Sequence, residues 1–201
     1  WEPSRGGDLF PHLYGTLPLA ALARHWTLTL DKGGLRDFPE IIGLVEPEWT
    51  GWTPQERASL CFVIRDGMIL LIEKKRGLGA GKVNGPGGRL EPGETAMACA
   101  ARETREEVGV TPTGLKPAGE LHFQFVDGYS LHCAVFTASG TEGKLIETDE
   151  AKPFWRQTSS IPYDDMWTDD RHWVPWMLTG RRFRGYFHFD GDRMLCGRVE
   201  P

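Results

Sequence analysis

The chain of 201 residues is 40% hydrophobic and 25% charged, which fits one folded domain plus a fragment and excludes a disordered, collagen-like or simple coiled-coil chain. Its net charge of −5 argues against a long polyanion such as duplex DNA as the main partner, and no apolar run approaches the ~20 residues of a membrane span. The four cysteines (Cys61, Cys99, Cys133, Cys196) are dispersed, without a CxxC pair or a histidine partner at zinc spacing, so reduced thiols in a cytoplasmic protein are expected.

Composition shifts near residue 55. Residues 1–55 read as an extension that ends in a linker, Glu46-Pro47-Glu48 and Thr53-Pro54, and residues 56–201 as the folded domain. The chain begins on Trp1 with no signal peptide, so a segment ahead of it is expected. In the folded part, strand-like runs over 59–65 and 68–75 flank Asp66-Gly67, a hairpin signal. A glycine-rich loop follows over 77–88, then a helix over 95–108 that Gly109 is placed to stop. Strand-like runs over 120–126 and 131–138 surround Asp127-Gly128. A second helix over 168–178 ends near Gly180, and a last strand pair, 183–189 and 194–199, turns at Asp190-Gly191. Strands on both sides of one helix, with another helix late, predict an α/β (α+β) domain with a mixed sheet between helices.

The first helix carries the chemistry. At about 100° per residue, Met97, Ala100, Ala101, Thr104 and Val108 share an apolar stripe. Glu103, Glu106 and Glu107, spaced i, i+3, i+4, converge on a neighbouring face. Three carboxylates that close repel one another unless cations sit between them, and Mg²⁺ favours such hard oxygen ligands together with substrate phosphates.

Gly88, Glu94, Arg102, Glu103, Glu106, Glu107 and Gly109 resemble the Nudix box, Gx5Ex7REUxEExGU, with Thr104 where that pattern has a bulky aliphatic. With each residue type at about 6–7% frequency, seven accidental matches have a probability on the order of 10⁻⁹ per starting position. The resemblance implies a Nudix fold, a central mixed sheet sandwiched between helices. It also implies hydrolysis of a nucleoside diphosphate derivative with Mg²⁺ or Mn²⁺, with Glu103, Glu106 and Glu107 as catalytic and metal-binding groups. A carbonyl ligand would fall on Gly87 or Gly88, and Arg102 would pair with Glu94 to pin the loop to the helix.

Beyond the box, residues from about 59 onward resemble the animal 8-oxo-dGTP diphosphatase branch of that family. The shared phrases are Lys74-Lys-Arg-Gly-Leu-Gly-Ala-Gly81, Asn84-Gly-Pro-Gly-Gly88, Asp165-Met-Trp-Thr-Asp-Asp170, Trp173 and Phe183-Arg-Gly-Tyr-Phe187. This resemblance implies base-reading roles for Asn84, Asp169 and Asp170, stacking by Trp167, and pocket positions for Ser59, Lys74, Gly88, Phe123 and Phe125. Glu150 would be an additional metal-associated carboxylate. Leu78, Val83, Pro86 and Leu131 depart from three aromatics and a methionine at pocket positions, so fewer rings are expected around the base. A nucleotide is the implied partner, with neither a nucleic-acid polymer nor a membrane. Other nucleotide substrates (dinucleoside polyphosphates, ADP-ribose) and a non-catalytic nucleotide sensor are the competing readings, and the Asp pair could instead cap the second helix. In the extension, residues 10–22 look like the tail of a small bacterial domain of unknown function, in which His12 would serve a turn or packing.

Overall fold

The computed structural model describes residues 47–201; His12, Trp26 and residues 10–22 lie outside the described residues. Strand β1 (Glu56–Arg65) turns into β2 (Met68–Lys74) through Asp66 and Gly67, with φ of 51° and 71°. Positive φ at both central residues is what a primed two-residue hairpin turn needs. The expected glycine-rich loop holds two short strands, β3 (Val83–Asn84) against β2 and β4 (Gly87–Arg89) against β1. Helix α1 (Ala96–Val108) starts where the Thr95 side chain accepts from the Ala98 N–H, and it stops at Gly109 with φ of 79°.

After α1, β5 (Val110–Thr113) pairs with β8 (Gly140–Gly143) in a separate two-stranded sheet. Between them run β6 (Lys116–Phe125) and β7 (Ser130–Ala138). Strand β9 (Ala151–Gln157), which the sequence reading missed, adds to β2. Helix α2 (Asp170–Leu178) begins two residues later than expected, and the hairpin of β10 (Phe183–Asp190) and β11 (Arg193–Glu200) closes the chain.

The main sheet runs β11-β10-β6-β7-β1-β2-β3. Its β1–β7 and β6–β10 pairs are parallel and the other neighbours antiparallel, which makes the sheet mixed, as expected. Alternation along each strand supplies two cores. Cys61, Val63, Leu70 and Ile72 pack with Ala100 and Val108 of α1. Phe62, Ile69, Leu71, Leu121 and Phe187 pack with Trp173, Val174 and Met177 of α2. The helices therefore cover opposite faces.

The expected apolar stripe of α1 needs correction. Met97 is 42% exposed, and the buried residues are Cys99, Ala100, Thr104, Glu107 and Val108. The stripe is rotated toward Cys99 because β4, which packs on α1, lies on that side. Thr104 fits beneath the helix without an orphaned hydroxyl, since its Oγ1 donates to the Ala100 carbonyl at 2.6 Å. Cys61, Cys99 and Cys133 are buried and Cys196 half-buried; burial pushes the Cys61 and Cys99 thiols up to about 11.

Ahead of β1, the chain docks on the sheet. Trp52 Nε1 donates to Gln124 Oε1 at 2.9 Å, Gln55 N to Ser130 Oγ at 3.0 Å, and Trp49 lies 5.2 Å from the Tyr186 ring.

Candidate active site

A cavity of about 540 Å³ opens where β1, β2, β4, β6, α1 and the approach to α2 meet. It gathers most residues singled out from sequence: Ser59 on β1, Lys74 at the end of β2, Asn84, Gly87 and Gly88 around β4, and Glu103 and Glu107 on α1. Phe123 and Phe125 on β6, Glu150 ahead of β9, and Trp167, Asp169 and Asp170 ahead of and opening α2 complete the set. Glu106, Glu94, Arg102 and Gly109 lie outside its lining.

The carboxylates of α1 occupy different depths. Glu106 is exposed, whereas Glu107 is only 1% exposed. Spacing places a residue on a helix face but not at a depth, and the i, i+3, i+4 reading left these depths open. Glu107 Oε1 accepts from Lys74 Nζ at 2.9 Å and Oε2 from Gly87 N at 2.9 Å. Burial raises its proton affinity, while Lys74 and the Gly87 N–H oppose that rise. Glu103 presses over the loop: a Cβ on Gly88 would lie 2.4 Å from its carboxyl carbon, so only glycine admits the carboxylate there.

Arg102 organises the remaining charges. It donates from Nε and Nη2 to both oxygens of Glu94 at 2.8 Å, holding that carboxyl down at about 2. Its Nη1 also reaches Glu103 at 2.8 Å and Glu106 at 3.0 Å, and Nη2 reaches the Arg89 carbonyl at 3.1 Å. Loop and helix are thus joined by one planar cation. Arg76 pairs similarly with Glu150. Each of Glu103, Glu106, Glu107 and Glu150 already attracts a basic side chain, and this hard-oxygen set suits Mg²⁺ or Mn²⁺.

The other distinctive group is the pair Asp169 and Asp170, 1% and 3% exposed. Asp169 Oδ2 accepts from Trp173 Nε1 at 3.0 Å, and Asp170 Oδ2 from the Trp167 N–H at 3.1 Å. Asp169 occupies the N-cap position of α2 but makes no side-chain capping bond, so capping does not explain its burial. Among the described residues, Asp169 Oδ1 and Ser59 Oγ are buried without a hydrogen-bond partner, and both residues line the cavity. Burial raises Asp169 to about 6. Burial and then the Asp169 charge push Asp170 well above the ordinary carboxyl range. Burial and the mutual repulsion of the two carboxylates thus both favour a proton held on the pair.

Trp167 stands at the same cavity with Lys82 Nζ 4.8 Å from its ring centroid and Phe189 edge-on at 5.6 Å. Phe189 and Tyr129 also line the cavity and were missed in sequence. Phe189 continues the inward alternation of Phe183, Gly185 and Phe187 on β10, a signal that was readable. Of the departures noted above, only Leu78 and Leu131 line the cavity; Val83 and Pro86 are buried elsewhere. The rings that line the cavity are those of Phe123, Phe125, Tyr129, Trp167, Trp173 and Phe189.

Among the described residues no helix is long and apolar enough to cross a membrane. Residues 54–177 match the NUDIX domain model. The chain is 43% identical over 138 residues to the oxidized purine nucleoside triphosphate hydrolase of Danio rerio, covering 68% of this chain and 88% of that protein. It is 39% identical over 139 residues to the protein of the same name from Mus musculus, covering 68% and 89%. The crystal structure of a mutator MutT protein from Bacillus halodurans superposes with a TM-score of 0.65 at 27% identity, over 73% of this chain and 99% of that one. With Gly88, Glu103 and Glu107 of the box lining one cavity and the domain matched over most of the folded part, the chain belongs to the Nudix family.

Proposed function

We propose that this protein hydrolyses oxidised purine nucleoside triphosphates, 8-oxo-dGTP foremost and 2-hydroxy-dATP or 8-oxo-GTP besides, to the monophosphate and pyrophosphate. The observation that carries the reading is the buried pair Asp169–Asp170, with its unpartnered Oδ1, in the same cavity as Glu103 and Glu107. A protonated Asp170 would donate to the purine O6, while ionised Asp169 accepts ring N–H groups. In an 8-oxidised purine N7 is a donor, so an acceptor facing it separates that base from the normal one. Asn84, whose Oδ1 accepts from the Gly85 N–H at 2.7 Å, offers its amide N–H donors to the base edge, and the Trp167 indole offers a stacking face. Phe123, Phe125 and Ser59 complete the enclosure.

Glu103, Glu106, Glu107, Glu150 and the Gly87 carbonyl would hold Mg²⁺ or Mn²⁺. A bound divalent ion would offset phosphate charge and make a water molecule a better nucleophile. The chain's own part is positional: Lys74 holds Glu107 in place, Arg102 holds Glu103 against Gly88, and Lys74 and Arg76 bring positive charge to the cavity lining. The names of the animal relatives support the substrate class. On this reading activity resides in residues 56–201, with none assigned to the extension 1–55. The biological role is clearing oxidised purines from the cytoplasmic nucleotide pool before they enter DNA.

The test is a substrate panel with Mg²⁺ or Mn²⁺: 8-oxo-dGTP, dGTP, 2-hydroxy-dATP, 8-oxo-GTP, diadenosine polyphosphates and ADP-ribose. The expected result is the highest kcat/KM on oxidised purine triphosphates, with pyrophosphate released. A preference for ADP-ribose or a dinucleoside polyphosphate would overturn the substrate assignment, and absence of all turnover would favour a nucleotide-sensing module.

A further inference from the structure

We propose that Glu120, His122 and His132 form a second metal site, for a Zn²⁺-class transition ion, on the sheet face opposite the catalytic cavity. Leu121, Phe123 and Phe125 line the cavity, so alternation along β6 sends Glu120 and His122 to the other side. The antiparallel register pairs His122 directly with His132 of β7, their ring centroids 5.0 Å apart. One ligand atom of each of the three residues lies within 4.8 Å of those of the other two.

The separations suit a small ion. Ligand atoms about 2.0–2.1 Å from a tetrahedral Zn²⁺ lie about 3.3 Å from one another. His132 Nε2 and Glu120 Oε2 are already 3.6 Å apart, and the His122 ligand atom lies within 4.8 Å of both partners. An independent feature prepares His122. Its Nδ1 lies 3.2 Å from the Gly185 carbonyl of β10, and a carbonyl only accepts, so Nδ1 carries the hydrogen. Nε2 is left with the lone pair. A backbone carbonyl that orients an imidazole and fixes its tautomer is the usual support of a metal-bound histidine.

Two imidazoles and a carboxylate select a borderline ion over Mg²⁺, which favours the all-oxygen set on α1. Trp52 and Tyr186 pack on His122 at 5.4 and 4.7 Å, sheltering one flank, while Glu120 is 52% exposed and leaves room for a water ligand. The ion would bridge β6 to β7 where the segment before β1 docks.

The experiment uses the untagged full chain, stripped with chelator and dialysed into excess Mg²⁺ so that the α1 carboxylates are occupied. Zn²⁺ is titrated by calorimetry, and Co²⁺ by its visible absorption. One Zn²⁺ per chain is expected, weakened at least about tenfold by His132→Gln or by Glu120→Gln, and unchanged by Glu103→Gln. Both weakened variants should keep the wild-type circular dichroism and Mg²⁺-dependent turnover, and the Co²⁺ absorption band should vanish with His132→Gln. Absence of Zn²⁺ binding under excess Mg²⁺ would overturn the proposal, as would equal binding by the histidine variant or loss of binding with Glu103→Gln.

Discussion

Asp169→Asn should stabilise the protein at neutral pH while impairing it as an enzyme. Asp169 titrates at about 6 in the folded chain against 3.8 as the ordinary value, because burial penalises its charged form. Between those values the folded state holds the proton more tightly than the unfolded state does, so the carboxyl destabilises the fold increasingly as pH rises through the window. The penalty is absent below the lower value and complete above the upper one, at about 3 kcal/mol for a displacement of roughly two pKa units. Asparagine keeps the size and still accepts from Trp173 Nε1, but it cannot ionise. Relative to wild type, Asp169→Asn should therefore gain about 2 kcal/mol between about pH 4.5 and 7.5. The assay is urea denaturation of both proteins at the two pH values; the comparison cancels the titrating groups that do not touch Asp169, while Asp170 loses the upward push of the Asp169 charge in the variant. In parallel, kcat/KM for 8-oxo-dGTP should fall by the equivalent of about 1–3 kcal/mol, and discrimination against dGTP should shrink. A stability difference that does not move with pH would refute the account of a buried, proton-holding carboxyl. Unchanged substrate ratios would remove Asp169 from base reading.

Glu107→Gln should keep its bond to the Gly87 N–H and the fold, yet lower turnover by about two orders of magnitude or more at saturating metal, as read by pyrophosphate release. Gly88→Ala should fold, because the atom it meets is the end of the Glu103 side chain, but displace that carboxylate and cut kcat at least about tenfold, with a matching rise in the Mg²⁺ needed for half-maximal rate. A chain beginning at Gln55 should still hydrolyse nucleotide. Without Trp49 and the Trp52–Gln124 bond it should lose about 1–2 kcal/mol of stability by denaturant titration; soluble but inactive truncated protein would place the segment in the site.

What could be read in the sequence followed from local rules. Asp66-Gly67 and the Thr95 and Gly109 caps marked their elements because the required dihedrals and bonds involve neighbours in the chain. The strand β9 escaped notice because Pro153 and its polar residues suit an added strand, whose identity depends on β2 alongside it. In the site, residue types at box spacing revealed the chemistry, but burial did not follow. Glu107 is deep and Glu106 exposed because Lys74 and Gly87 arrive from β2 and β4 on one side only. The pairing of His122 with His132 depends on strand register and has no signature at fixed spacing, whereas the Asp169–Trp173 bond is local, four residues apart at the start of α2, and only its burial depends on the rest of the fold.

The two parallel pairings have a kinetic consequence. Residues 131–138 must find 56–63, and 183–189 must find 119–125, before the cavity has walls, because Ser59, Leu131, Phe123 and Phe189 belong to those four strands. Each pairing closes a long stretch of chain whose entropy is lost before the contacts compensate it, so the rate of folding should be governed by these closures. While a chain emerges from the ribosome, Glu103 and Glu107 can sit on a formed α1 long before β10 exists to supply Phe189. The half of the cavity proposed to read the base, with Asp169 beside it, then closes late, and a chain stalled before β10 would carry the box beside a cavity that lacks its Phe189 wall.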